Sequence, residues 1–364
     1  MTLRRAARPG LALVVALVAM VTLPQAPADA KAVKALWGPA RLPDRASAMP
    51  VYRDLGVDVL QMELGWHDVA PKRPDDPLDP ADPGYRWHTS IDEAIAKGRR
   101  HGITVALLVR GSPAWVNGAR GVDYAPPARA FGQFVTAAAR RYPAVRRWMI
   151  WGEPNRVGAF RPLPRNDSTG PRRYARLLDS AYRALKRSNR RNLVIGGNTF
   201  AFGEMMPRDF VRRMRLPNGK PPPLDMYGHN PFSSRFPDIS MDPFGGYPDS
   251  FDFGDLDRLR VALARTYRGE YHQFRRRGPR IWISEYSVSS DRSNDYFDFF
   301  VSRREQARWL TAAYQAEARA PWIAGLGWAG LLDGLPSNPT HHTTGLMTWE
   351  GERKPAYFAY RRVP

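Results

Sequence analysis

The stretch "MIWGEPN", residues 149–155, ends an apolar and aromatic run on an acid and continues with a proline and an amide. The run has the character of a buried strand. An unpaired carboxylate at the end of such a strand costs several kcal/mol, so the position of Glu153 needs a physical reason. Three interpretations are open at this point: Glu153 caps a helix, pairs with a base, or takes part in chemistry.

Similar apolar runs recur along the chain and alternate with longer amphipathic stretches. The predicted strands are "VKALWG" (33–38), "VDVLQMEL" (57–64), "ITVALLVR" (103–110), "RWMIWG" (147–152), "NLVIGGN" (192–198), "LDMYGHN" (224–230), "RIWISE" (280–285) and "IAGLGWA" (323–329). Such alternation predicts a parallel α/β sheet. Eight βα units favour a closed (β/α)8 TIM barrel over an open doubly wound sheet, since no G-x-G-x-x-G or P-loop fingerprint follows the first strand.

The intervening stretches carry the spacing of helices. Apolar residues repeat at helical intervals over 174–185 and again over 131–138, where Pro126 and Pro127 mark the beginning. A third stripe, over 310–314, precedes the last strand. These stripes predict helices that lie on the outside of the barrel.

The N-terminus has the features of an export signal. Arg4, Arg5 and Arg8 precede an apolar run over 11–23, and small residues follow at 28–30. We therefore expect residues 1–30 to be a removed signal peptide, residues 31–364 to form one barrel domain, and the protein to be secreted; an uncleaved membrane anchor is the alternative. No later run is long enough to span a membrane. The chain has no cysteine, which excludes disulfides and thiol chemistry.

The chain is basic, with 55 lysines and arginines against 35 acids and a net charge of +20. The arginines are scattered, and the densest group is the triplet at 275–277. Without interleaved aromatic and basic residues, a nucleic-acid groove is not expected. Two explanations stay open: a compositional bias with a solvated surface, or attraction to an anionic cell envelope.

Two acids fall where a barrel carries its functional groups. Glu153 ends the predicted fourth strand and Glu285 ends the seventh, and the carboxyl ends of barrel strands surround one open face. Two carboxylates in one cleft cannot both ionise freely, so one acts as an acid and the other as a nucleophile or base, as glycosidic bond cleavage requires. Tryptophans able to stack on sugar rings also follow strand ends, at Trp37, Trp66, Trp115 and Trp328; ordinary core packing is the alternative.

At this point the segments "WGEPN" and "WISEYS" resemble the acid/base and nucleophile segments of the retaining clan A glycoside hydrolases, and within them the family 39 branch. The resemblance extends over most of the chain from Lys34 to Arg361 and includes "SPAW" after strand three and a closing "GLMTWEGERKPAYFAY". It implies that Glu153 is the general acid/base and Glu285 the nucleophile of a double displacement, with carboxyl groups about 5 Å apart. It further implies that His229, Tyr286 and Trp328 lie at the reactive subsite, with Asn198 at its rim.

The chain departs from the clan pattern beside the acid/base and on strand two. The clan usually has an asparagine directly before the acid/base, and this chain has Gly152; Asn155 is a candidate to supply the missing amide. Strand two often carries an arginine near the nucleophile, and this chain has Gln61 and, on the same face, Glu63. We include Asn155, Gln61 and Glu63 among the expected substrate-binding residues.

A third departure follows strand six, where the clan often has a tyrosine. Phe232 is nearest to that position, so a hydroxyl near the nucleophile is expected from Tyr227 or Tyr286. The three departures leave the sugar, the linkage and the choice between exo and endo action undetermined. They also keep a different class open: a carbohydrate-binding barrel protein of the cell envelope that has no turnover.

No metal and no cofactor are predicted. His341 and His342 are adjacent in a loop without a placed carboxylate, which is more typical of surface or subsite residues than of a metal site. The acids Asp75, Asp76, Asp79 and Asp82 lack the spacing of a calcium loop. The expected partner is an oligosaccharide or polysaccharide substrate.

Overall fold

The structure of the 364-residue chain is a computed structural model that describes residues 32–240, 242–271, 274, 278–293, 298–338 and 342–364. The predicted signal peptide, the arginine triplet at 275–277 and His341 lie outside the described residues. Among the helices that are described, none is long and apolar enough to cross a membrane.

Eight parallel strands form a closed barrel, and each pairs with its neighbours in chain order. They are β1 (Val33–Trp37), β2 (Val59–Gly65), β3 (Thr104–Arg110), β4 (Arg147–Ile150), β5 (Leu193–Phe200), β6 (Met226–Asn230), β7 (Arg280–Tyr286) and β10 (Ile323–Trp328). The short strands β8 (Ser289–Ser290) and β9 (Phe300–Val301) form a separate ladder after β7. The predicted (β/α)8 TIM barrel is confirmed.

The helices surround the barrel. They are α1 (Met49–Leu55), α2 (Trp66–Val69), α3 (Thr89–Arg100), α4 (Ala114–Asn117), α5 (Ala128–Arg141), α6 (Thr169–Ser188), α7 (Pro207–Arg213), α8 (Leu256–Tyr267), α9 (Arg303–Ala318) and α10 (Pro355–Arg362), with one 3-10 turn, Phe253–Asp255. The predicted stripes on α5, α6 and α9 supply buried residues to the layer between helices and sheet, which confirms those three helices.

The hydrophobic core has two parts. Every barrel strand contributes to a small inner cluster made of Ala35, Val59, Ala106, Leu108, Met149, Ile195, Met226, Trp282 and Ala324. A larger outer cluster joins the other faces of the strands to the helices. Since side chains alternate along a strand, every barrel residue belongs either to the interior, which opens at the mouth, or to the closed outer layer.

One boundary differs from the prediction in a way that matters for the site. The fourth strand was expected to run to residue 152, but β4 ends at Ile150 because Trp151 has a left-handed φ of 61°. Glu153, with a φ of 49°, therefore lies in the loop after β4 and not at the end of the strand. Glu285 lies inside β7, one residue before its end.

Two glycines make room for buried amides near the mouth of the barrel. A Cβ on Gly228 would collide with the side chain of Asn198, and a Cβ on Gly327 would collide with Gln61 and with the Ser284 carbonyl. Close approach of these amides to the backbone thus depends on glycine.

Candidate active site

The carboxyl ends of the strands surround a cavity of about 570 Å³. Its walls are formed by Trp37, Glu63, Leu108, Arg110, Gly152, Glu153, Arg156, Ala159, Phe200, Phe232, Glu285, Ser287, Ala329, Gly330, Leu332, Gly334, His342 and Thr344. Four of the sequence-predicted site residues meet here: Glu153, Glu285, Glu63 and Trp37.

Glu285 is half-buried in this cavity and stands in a strongly charged environment. Burial raises the pKa of its carboxyl to about 8, and the neighbouring Glu153 carboxylate adds to the rise. Both effects disfavour a second negative charge at the same place. The charge of Glu153 therefore acts on the carboxyl group of Glu285 across the cavity.

Glu153 is held by two donors. Arg156 places Nη1 2.7 Å from Oε2, and Asn230, at the end of β6, donates to Oε1 at 3.1 Å. The Glu153 backbone N–H donates to the Asn198 carbonyl at 2.9 Å. A guanidinium and an amide that bind the two oxygens of one carboxyl group fix its direction.

A second arginine faces the acids from the neighbouring strands. Arg110, which ends β3, has Nη1 3.6 Å from Oε2 of Glu63 on β2. The charge of Arg110 lowers the pKa of Glu285, whereas the charge of Glu63 raises it. In the clan pattern an arginine near the nucleophile often lies on strand two. In this chain the positive charge that lowers the pKa of Glu285 comes from Arg110 on strand three.

Gln61 and Trp37 support the backbone before Glu285. The Gln61 Nε2 and the Trp37 Nε1 both donate to the Ser284 carbonyl, at 2.9 and 2.8 Å. Gln61 also accepts a hydrogen bond from the Trp282 indole at 2.9 Å and is fully buried. Gln61 therefore positions strand β7 and does not line the cavity, whereas Trp37 does both.

Asn155 and Asn198 are buried, and hydrogen bonds to the protein occupy both amides. Asn155 donates to the carbonyls of Phe200, Phe202 and Met205 and accepts from the Phe200 N–H at 2.8 Å. An amide with all its groups engaged cannot replace the one that Gly152 lacks. We expected Asn155 to contact the sugar and Asn198 to lie at the rim of the site. The structure instead buries both residues behind the cavity wall.

His229 lies outside the cavity, in the layer behind β6. Its Nε2 donates to the Phe251 carbonyl at 2.6 Å, and its Nδ1 lies 2.9 Å from the Thr199 hydroxyl. Burial lowers the pKa of His229 to about 4, so the ring is neutral at neutral pH. The next residue, Asn230, is the one whose side chain reaches Glu153.

The remaining expected aromatic residues also lie away from the cavity. Tyr286 and Trp328 are fully buried and pack edge to face at 6.1 Å in the outer layer. Trp115 donates its indole N–H to the Ala70 carbonyl at 2.8 Å and packs on the buried Trp66, in a separate cavity. Of the four tryptophans proposed to stack on sugar, only Trp37 lines the site.

Several wall residues were not predicted. Arg110, Arg156, Asn230, Phe200 and Phe232 contact the acids or the cavity, and all five follow or end barrel strands. Their placement at the carboxyl ends of β3, β4, β5 and β6 was the available signal. Phe232 was noted in the sequence only as the residue nearest to a missing tyrosine.

The possible metal ligands are dispersed. Over the described parts of the chain, no three histidines or acids come together in a way that would hold an ion. His342 lines the cavity, and burial lowers its pKa. In the acidic stretch before α3, Asp82 accepts the backbone N–H groups of Asp76 and Gly84 at 2.8 Å each, which is the arrangement of a turn.

Comparison with known proteins adds evidence on the fold. No family model matches the chain, and no curated protein matches it. Among solved structures, a family 39 glycoside hydrolase from Bacteroides cellulosilyticus WH2 is 19% identical with a TM-score of 0.66, and the match covers 92% of this chain and 64% of that one. A glucosidase from Croceicoccus marinus is 16% identical with a TM-score of 0.64, covering 92% and 67%.

A third similar structure is the family 39 enzyme from Xanthomonas axonopodis pv. citri, which is 21% identical with a TM-score of 0.60 and coverages of 93% and 67%. The chain thus spans about two thirds of the length of the proteins it resembles, and slightly less for the Bacteroides enzyme. It shares the barrel fold of the family 39 glycoside hydrolases, as the resemblance of its strand-end segments implies.

Proposed function

We propose that the protein is a retaining glycoside hydrolase that cleaves an O-glycosidic bond of an oligosaccharide or polysaccharide by double displacement. The observation that carries this proposal is the pair of glutamates, Glu153 and Glu285, in one cavity at the mouth of the barrel, where the charge of Glu153 helps to raise the pKa of Glu285. Similarity to glycosidases of known structure supports the same chemistry.

In the first step the ionised Glu285 attacks the anomeric carbon, and a new bond from that carbon to a carboxylate oxygen forms as the bond to the leaving oxygen breaks. Glu153 gives its proton to the leaving oxygen. In the second step Glu153 takes a proton from water, the water oxygen bonds to the anomeric carbon, and Glu285 is released. Arg110 favours the ionised Glu285 that the first step needs.

The first step needs an ionised Glu285, whereas burial raises the pKa of its carboxyl to about 8. The same step needs a proton donated by Glu153, whose two carboxyl oxygens are held by Arg156 and Asn230. The leaving oxygen therefore has to take the place of one of these donors beside Glu153.

The test uses a panel of aryl β-glycosides with the wild type, Glu285→Ala, Glu153→Ala and, as a control, Glu305→Ala on the exposed face of α9. Loss of either cavity glutamate is expected to remove roughly 4 kcal/mol or more of transition-state stabilisation, about a thousandfold in rate. Azide should rescue Glu285→Ala with an inverted glycosyl azide and Glu153→Ala with a retained one. Equal activity in all four proteins would contradict the mechanism.

The contacts of Glu153 also support a second candidate, a carbohydrate-binding barrel without turnover, because Arg156 and Asn230 occupy both carboxyl oxygens that a leaving group would have to reach. The same panel separates the two functions. A binding protein would retain its affinity for the sugar in Glu285→Ala and would show no turnover in any variant.

We further infer export from the basic and apolar residues 1–30, and attraction of the strongly basic chain to an anionic cell envelope. Determination of the N-terminal residue of the protein from culture medium tests the first point, with Lys31 expected. Salt-dependent release from cell walls tests the second.

A further inference from the structure

A second cavity of about 200 Å³ adjoins the catalytic one and shares Phe200, Phe232, Ser287 and Thr344 with it. We call it the phenylalanine chamber. Its walls are formed by the apolar residues Phe200, Phe202, Phe232, Phe244, Val288 and Phe299 and by the polar residues Ser233, Ser234, Ser287, Ser289, Asp298 and Thr344. Its lining includes residues at or after the carboxyl ends of β5, β6 and β7.

The rings of the chamber contact one another. Phe202 lies 6.4 Å from Phe200 and 5.4 Å from Phe244, and Phe200 lies 5.9 Å from Phe232, measured between ring centroids. Phe202 and Phe244 are only half-buried. Half-exposed phenylalanines around a concave surface form an apolar binding site more readily than a packed core.

Two buried hydroxyls in the chamber wall find no hydrogen-bond partner among the described residues. Ser287 is 3% exposed and Ser289 is 2% exposed, and neither Oγ makes a hydrogen bond within the part of the chain that the structure describes. Burial of an unpaired hydroxyl costs free energy, so a ligand with one or two polar atoms would recover it.

The chamber lies next to the residue that protonates the leaving oxygen. The guanidinium of Arg156 covers the Phe200 ring at 4.7 Å and also binds the Glu153 carboxyl. Asn230, the second donor to Glu153, comes two residues before Phe232. A group attached to the leaving oxygen therefore enters the chamber over the shared wall of Phe200 and Phe232.

From these contacts we infer that the phenylalanine chamber binds an apolar, ring-bearing aglycone, such as a phenol or a fused-ring alcohol, and not a second sugar. Although serines, a threonine and Asp298 take part in the lining, the accessible wall of the chamber is mostly apolar. The several hydroxyl groups of a sugar would lose hydrogen bonds to water against such a wall. A fused-ring alcohol has apolar faces that can pack on the phenylalanine rings. Its single hydroxyl can form a hydrogen bond with the Oγ of Ser287 or Ser289. This inference rests on the proposed glycosidase activity for its biological meaning and names the class of leaving group.

The experiment measures binding of free 2-naphthol by calorimetry to the wild type, Phe202→Ser and Phe244→Ser. Both residues lie in the chamber and outside the catalytic cavity. Each substitution is expected to weaken 2-naphthol at least tenfold, and Ser289→Ala to weaken it severalfold. Phe358→Ser, at an exposed phenylalanine on α10, is the matched control and should change the affinity less than twofold. Thermal unfolding of each variant verifies that it is folded.

Cellobiose and xylobiose are the competitors. If either disaccharide binds with an affinity that depends on Phe202 while 2-naphthol does not, the chamber is a sugar subsite and the inference is overturned. Undiminished 2-naphthol binding in Phe202→Ser and Phe244→Ser would also overturn it. The binding experiment does not require turnover. If 2-naphthol binding depends on the chamber but the protein hydrolyses no glycoside, the proposed glycosidase activity is contradicted and the inference about the chamber stands.

Discussion

Ser284 and Asn198 connect the two catalytic candidates: the Ser284 hydroxyl donates to Oδ1 of Asn198 at 2.8 Å. Ser284 directly precedes Glu285, and the Asn198 carbonyl accepts the Glu153 backbone N–H. The Asn198 amide also donates to the Trp151 carbonyl at 2.9 Å. One buried side chain thus fixes the spacing between the loop that carries Glu153 and the strand that carries Glu285.

Substitution of Asn198 by alanine should lower both stability and activity. It leaves the Trp151 carbonyl and the Ser284 hydroxyl unpaired, at a cost of about 2 to 3 kcal/mol in the free energy of unfolding. Urea denaturation measures the cost. Ser284→Ala removes only the link to β7 and should cost about 1 kcal/mol. A smaller effect in Asn198→Ala than in Ser284→Ala would show that Asn198 is not the connecting residue.

The pH dependence of kcat/KM should reflect the raised pKa of Glu285. Nucleophilic attack needs the ionised form, so kcat/KM should rise with pH through the pKa of about 8 in the free protein. Glu63→Gln removes a charge that raises this pKa and should shift the rise to lower pH, by roughly half a unit to one unit. Arg110→Met should shift it to higher pH by a similar amount.

Opposite shifts in these two variants are the result to look for, since general damage to the site would move the profile in one direction or lower it without a shift.

Gly152→Asn should fold and should alter the discrimination among sugars. A Cβ at this position would meet only the Leu108 side chain, at 3.4 Å, so we expect the free energy of unfolding to change by less than about 1 kcal/mol. The new amide would stand at the position from which the clan contacts the sugar 2-hydroxyl. Glycosides with that hydroxyl should gain in kcat/KM relative to their 2-deoxy analogues, and Gly152→Ala is the control. An unchanged ratio would mean that the site does not hold the sugar in the clan orientation.

The buried ion pair of Lys354 and Asp333 should stabilise the loop that follows β10. Lys354 Nζ lies 3.0 Å from Oδ1 of Asp333, and both side chains are almost inaccessible. Lys354→Met leaves a buried, uncompensated carboxylate and should cost about 3 kcal/mol in the free energy of unfolding. Lys354→Met combined with Asp333→Asn should recover part of that loss. If the single variant is as stable as the wild type, the pair contributes nothing.

His229 should make the fold sensitive to acid. Its pKa is lowered from 6.5 to about 4 by burial, so the unfolded chain takes up a proton that the folded chain refuses. The free energy of unfolding should therefore fall as the pH drops from 6.5 to 4, with roughly 3 kcal/mol from this residue. Urea denaturation across this range should give a shallower decline for His229→Gln. Parallel curves for the two proteins would assign the acid sensitivity to other groups.

The barrel could be predicted from the sequence because both the strands and the helices have clear hydrophobic patterns. Eight apolar runs that alternate with amphipathic stretches are compatible with few folds other than a (β/α)8 barrel. The two glutamates could be placed for the same reason, since strand ends meet at one face. The error over Tyr286 was avoidable. Side chains alternate along a strand, so Glu285 and Tyr286 cannot both face the cavity, and the same rule separates His229 from Asn230.

Asn155 and Asn198 could not be placed by such a rule. Trp151, Glu153 and Asn198 all have left-handed φ values, and each left-handed residue turns the next side chains in a direction that spacing does not reveal. Asn230 and Arg110 were harder to assign to the acids, because each lies far from its acid in sequence and approaches it only through the closure of the barrel. Arg156, three residues after Glu153, forms a local contact that the spacing could have indicated.

Arg110 has one more consequence. Within the resemblance to clan A, the cation beside the nucleophile belongs to strand two, and here the neighbouring strand supplies it while Gln61 takes the vacated place. Glu285 responds to the electric potential at its carboxyl group and not to the sequence position of the cation that produces it. A cation on a neighbouring strand end of a closed barrel can thus serve the same carboxyl group. Comparing barrel enzymes by the electric potential at the open end of the barrel would place together proteins that a comparison of aligned residues separates.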